Sequence, residues 1–159
     1  MGARHPDGRR RMTLRALSVK QPWALAICHD KDIENRTWNT RYRGPVAIHA
    51  SKARDDVSRA VLDWIEATAG LTPGQISRED HRGAVVAVAE IVDCHEAGAL
   101  GSCDIVPCSP WALPEQWHWQ LDSVHRLAEP VPCRGSLGLW RLPEDVDAAV
   151  RAQLAERAA

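Results

Sequence analysis

No stretch of this chain approaches the roughly 18 consecutive apolar residues that a membrane-spanning helix needs, which excludes a helical membrane protein. No apolar run follows the arginines of the N-terminal MGARHPDGRRR, so no secretory signal is expected. Pro6 stands where N-myristoylation after Met-Gly calls for Ser or Thr. The five cysteines are an odd number and include no C-x-x-C pair, which fits a reducing compartment better than a disulfide framework. Cys94, His95, Cys103 and Cys108 can be drawn as a metal site. Without a C-x-x-C or H-x-x-x-H spacing, the reading favours buried or loop thiols, with no metal and no cofactor. Together these absences predict a cytoplasmic protein with no membrane partner.

What is present fits one globular domain. A chain of 159 residues buries roughly two-thirds of its unfolded surface, and 45% hydrophobic with 26% charged residues is the balance of a soluble fold. The formal net charge of −1 hides a division. Residues 1–60 carry 13 Lys and Arg against 6 Asp and Glu, a balance of +7, and the remainder carries 7 against 15, a balance of −8. This asymmetry predicts a basic face built from the first third of the chain. A pI near 6.6 argues for a small, localised anionic contact over a grip on a long duplex.

Residues 1–12 read as a disordered tail, with Met12 a second candidate start. Strands are predicted at residues 13–19, 33–38, 46–50, 83–93, 117–127 and 137–142. Pro22 suits the first turn of a short helix through Ile27. A second helix, capped by Ser51 or a neighbour, is expected from about Arg54 to Ala69 with Gly70 ending it. The segment Leu71–Arg82 reads as loop, and residues 95–115 as a long connection of the kind that often carries function. Residues 143–159 form a closing helix with Val146, Val150 and Leu154 on one side. Five or six strands with two or three flanking helices predict an α+β barrel over residues 13–142.

The chemistry gathers between Leu17 and Ser51, LSVKQPWALAICHDKDIENRTWNTRYRGPVAIHAS. Lys20, Lys31, Arg36, Arg41 and Arg43 supply cations for phosphate; Trp23 and Trp38 supply flat faces for a base. Ser18, Gln21 and Glu34 supply hydrogen bonds for a base or sugar edge. Each has a plainer alternative. Lys31, Glu34 and Arg36 form a structural ion network equally well, Trp23 suits the core, and His49 reads as readily as a satisfied strand histidine as a reactive one. His118 and His125 read as decoration of the sheet. Arg41 and Arg43 sit in a loop with no evident acidic partner, which favours exposure and phosphate contact.

Three motifs in the first sixty residues resemble the ASCH domain, the homology domain of activating signal cointegrator proteins. They are LSVKQPWA at Leu17–Ala24, K-x-x-E-x-R at Lys31, Glu34 and Arg36, and YRGPVAIHASK at Tyr42–Lys52. The segment WHWQLDSVHRLAEPVPCRGSLGLW at Trp117–Trp140 is similar to the end of bacterial members, so the resemblance spans about Leu14 to Leu142. It implies a PUA-like β-barrel related in shape to modules that bind RNA or modified bases. The chain departs from the family pattern at His29, where a Gly is usual, and at Glu34, where relatives acting as amidohydrolases on acylated cytidines carry a Thr nucleophile. A carboxylate lacks the proton and the alkoxide basicity of that step. The expected function is binding of RNA or of a single, modified nucleotide, with single-stranded DNA as an alternative ligand; no oligomeric state is implied. The competing reading is a metal-independent ribonuclease or nucleoside amidohydrolase with Lys31 and Glu34 as its acid/base pair.

Overall fold

The computed structural model describes residues 11–98 and 107–159. The expected tail, but for Arg11 and Met12, and the middle of the long connection with Cys103 lie outside them. Six strands form one mixed sheet: β1 (Arg15–Gln21), β2 (Ile33–Arg36), β3 (Gly44–Arg54), β4 (Ala84–Glu96), β5 (Trp117–Pro132) and β6 (Leu139–Arg141). The helices are α1 (Trp23–His29), α2 (Arg59–Thr68), α3 (Gln75–Arg78) and α4 (Glu144–Ala158). The sheet order is β2-β5-β4-β3-β1-β6, and β1 with β3 is the parallel pair within an otherwise antiparallel ladder.

The sheet is not closed into the expected barrel: among the described residues no ladder joins edge strands β2 and β6. It curls strongly instead. Register shifts break the β3–β4 ladder once and the β4–β5 ladder three times, and bulges of this kind bend strands and increase their twist. The curl carries β2 back over β1, so that Arg36 Nη2 donates to the carbonyl of Ser18 at 2.8 Å although three strands separate them in the sheet.

The apolar run of β4 predicts burial on both faces, and Ala84–Ala89 are all buried. On one side α1 lies between two clusters: Ala24 and Ile27 meet the sheet around Trp119, while Leu25 and Ala26 meet Ile65 of α2 and Ile76 of α3. On the other side α4 places Val146 and Val150 against Leu14, Val85, Val88 and Leu127. The second helix starts later than expected because β3 runs on to Arg54, and its cap is Ser58, whose Oγ accepts from the Val61 amide at 3.3 Å. Within the expected loop 71–82, Gln75–Arg78 make one short helix.

Asp147 fastens α4 to the start of β1. Its buried carboxylate accepts from the Leu14 amide at 2.7 Å and from Arg151 Nε at 2.8 Å. Asp147→Ala leaves that buried amide unsatisfied and is expected to cost about 1–3 kcal/mol. A shift of the denaturant midpoint without a change in slope checks this.

Candidate functional site

The sequence-predicted residues divide into an inward group and an outward one. Lys31, Glu34 and Arg36 come together as a charge chain: Glu34 Oε2 meets Lys31 Nζ at 2.7 Å and Glu34 Oε1 meets Arg36 Nη2 at 3.1 Å. Side-chain exposure is 3% for Lys31, 9% for Glu34 and 23% for Arg36, so solvent screens the Lys31–Glu34 contact little. Lys31 Nζ also donates to the carbonyl of Ile33. Both Glu34 oxygens are therefore engaged by cations of β2 and its approach, and Arg36 carries the chain on to β1.

Other expected residues are held by the scaffold or by surface partners. Gln21 is buried, its Nε2 donating to the His81 carbonyl at 2.8 Å and its Oε1 accepting from the Leu25 amide at 3.0 Å. That second bond satisfies an amide in the first turn of α1. Lys20 pairs with Asp55 at 3.3 Å on the surface, and Trp23 Nε1 donates to the same carboxylate at 2.9 Å. Arg43 does have an acidic partner, Asp93 of β4 at 3.6 Å, which the sequence did not reveal because 50 positions separate the two. Arg41 is exposed. Trp38 is 37% exposed and meets buried Trp119 edge to face, ring centroids 4.5 Å apart. His29 ends α1 and accepts from Arg126 Nη1 at 3.2 Å; burial, then the Arg126 charge, hold its pKa below the usual imidazole value.

Ser18 opens onto a different feature. A groove of about 860 Å³ runs past the ends of β1 and β3, the start of β4 and the β5–β6 connection. Ser18 and His49 line it together with three exposed cations, Lys52, Arg82 and Arg134, and the lining described contains no carboxylate. Arg82 Nε sits 3.5 Å from Asp80 Oδ2, a carboxylate outside the groove lining. Leu137, 97% exposed, marks the rim.

The floor is tightly specified. His49 Nε2 donates to the Cys133 carbonyl at 2.7 Å, which leaves Nδ1 as the acceptor facing Ser18 Oγ at 3.3 Å. Ser18 Oγ also lies 3.1 Å from the Ser136 carbonyl and accepts from Trp140 Nε1 at 3.2 Å. Gly135 closes over this pair. A Cβ there would fall 2.7 Å from His49 Cε1 and 2.9 Å from Ser18 Oγ, so no side chain fits without displacement. Lys52, Arg82, Arg134 and Gly135 were missed from sequence; Lys52 ends the YRGPVAIHASK motif and Arg134-Gly135 lie inside the later one, but nothing local marks them as neighbours.

Burial, opposed in part by the Cys133 hydrogen bond, pushes the His49 pKa below its ordinary value of 6.5. The unfolded chain then binds the proton more readily than the folded one. His49's contribution to stability is complete above pH 6.5 and declines as pH falls below it toward the folded pKa. An NMR titration of the His49 ring is expected to show a midpoint below 6.5, with an Nε2–H tautomer at neutral pH.

A second gathering lies at the far end of the β4–β5 ladder. His95, Cys108 and His118 bring ligand-type atoms within 4.8 Å of one another. His118, expected only to decorate the sheet, is buried at 1% exposure and belongs to this gathering. No family model matches this chain, and no curated protein matches it significantly. Among the described residues no helix is long and apolar enough to cross a membrane.

Proposed function

We propose that this chain is an ASCH-type domain of PUA-like architecture that binds single-stranded RNA, or a single nucleotide, in the groove between Ser18 and Arg134. The observation that carries the reading is the groove itself: three exposed cations and no carboxylate around a floor of neutral donors and acceptors. Phosphate is met by Lys52, Arg82 and Arg134, and a base or ribose edge by Ser18 and the backbone around Gly135. The curl that brings Arg36 to Ser18 is compatible with a PUA-like relation, and the Lys31–Glu34–Arg36 chain then serves to hold the wall behind Ser18. Single-stranded ligand is favoured over duplex because three cations suit only a short run of phosphates.

A short fluorescent RNA oligonucleotide titrated into the protein tests the proposal. Gly135→Ala places a methyl against Ser18 and buried His49, which must shift to admit it, and its effect is expected as at least a tenfold loss of affinity, about 1.4 kcal/mol, together with a fall in melting temperature. Native affinity in this variant would move the ligand elsewhere on the surface.

A further inference from the structure

Independently of the groove, we infer that His95, Cys108 and His118 form a zinc site that ties the β4–β5 connection to the two strands it joins.

The placement comes from the ladder. His95 on β4 and His118 on β5 are directly opposed partners, their rings 5.3 Å apart and nearly perpendicular at 86°. Cys108 approaches from the connection and sets Sγ 3.4 Å from His118 Nδ1. Ligand atoms of a tetrahedral zinc stand about 3.3–3.6 Å apart, as bonds of roughly 2.0–2.1 Å to nitrogen and 2.3 Å to sulfur require. The observed spread of at most 4.8 Å needs only small side-chain rotations to reach that value.

The outer contacts fix both rings in the state a metal needs. His118 Nε2 lies 2.6 Å from the Leu113 carbonyl, and a carbonyl only accepts, so Nε2 carries the proton and Nδ1 presents its lone pair toward Cys108. His95 Nδ1 lies 2.8 Å from Asp93 Oδ2. A carboxylate oxygen only accepts, so Nδ1 donates to Asp93 and the His95 lone pair resides on Nε2. A carboxylate behind one ligating histidine and a carbonyl behind the other is the support that orients histidines at zinc. One thiol with two imidazoles is a donor set matched to zinc. The thiol proton passes to solvent as the Zn–S bond forms, no oxidation change is involved, and the fourth position is taken by a ligand outside these three.

The test uses the full chain without a tag. Elemental analysis after gel filtration is expected to give about one zinc per chain, and Co²⁺ substituted for it to show tetrahedral d–d absorption with a thiolate-to-cobalt charge-transfer band. Cys108→Ser, at an exposed position, is expected to remove or sharply reduce that band while the far-UV circular dichroism of the sheet persists. Asp93→Asn is expected to keep the band and weaken zinc affinity about 10–100-fold. Absence of bound zinc together with absence of a tetrahedral Co²⁺ spectrum overturns the proposal. So does a charge-transfer band undiminished in Cys108→Ser, which would put the metal on other thiols.

Discussion

Glu34→Gln is expected to lower the folding free energy by about 3–5 kcal/mol, the cost of leaving a buried cation uncompensated. The amide keeps the shape of the carboxylate but removes the charge that Lys31, 3% exposed, and Arg36 both address. For a chain of this length the loss corresponds to a fall in melting temperature of roughly 6–20 °C. Lys31→Met combined with Glu34→Gln removes both members of the more buried pair and is expected to recover much of that loss, since an apolar replacement of a buried ion pair is often neutral. If Glu34→Gln instead melts with the native protein while losing ligand, Glu34 serves the ligand and the wall reading of this chain of charges fails.

The second large effect concerns the groove. Changing Lys52, Arg82 and Arg134 together to Gln is expected to weaken RNA binding at least about 100-fold, because each charge-assisted contact is worth on the order of 1 kcal/mol or more. Melting should stay close to native, as all three side chains are exposed. Equal changes at Lys20 and Arg41, which lie outside the groove lining, are expected to leave affinity within a few-fold of native. The reverse pattern would relocate the ligand to the surface around β1 and the β2–β3 loop.

The elements were legible because their signals are local. The apolar run of β4, the alternation that opens β5, and Val146 with Val150 on one helix face each announce themselves within a dozen residues. Strand order was not legible: the parallel pairing of β1 with β3 and the passage of β5 between β2 and β4 depend on packing between distant segments. The charge imbalance of residues 1–60 says how many cations that segment carries, not which acids they meet in the fold. Lys31 and Arg36 turn toward Glu34, while Lys20 and Arg43 reach Asp55 and Asp93. Two of the three groove cations, Arg82 and Arg134, come instead from the acidic remainder of the chain, brought to Lys52 by the ends of β4 and β5. Of the histidine–cysteine cluster, His95 and Cys108 can be drawn together from sequence and are set aside there for want of a motif spacing, while His118 was hidden for a similar reason. His118 lies 23 positions from His95, a spacing that belongs to no metal motif, and only the ladder sets the two side by side.

The salt dependence of RNA binding by the native protein bears most directly on the account. With three phosphates held by Lys52, Arg82 and Arg134, the logarithm of the association constant should fall by about 2 for each tenfold rise in salt, roughly 0.7 for each single-strand phosphate. The triple Gln variant should lose most of that slope along with its affinity. Binding that is absent at low salt, or that keeps the same slope in the variant, would contradict the groove as the site of an anionic ligand.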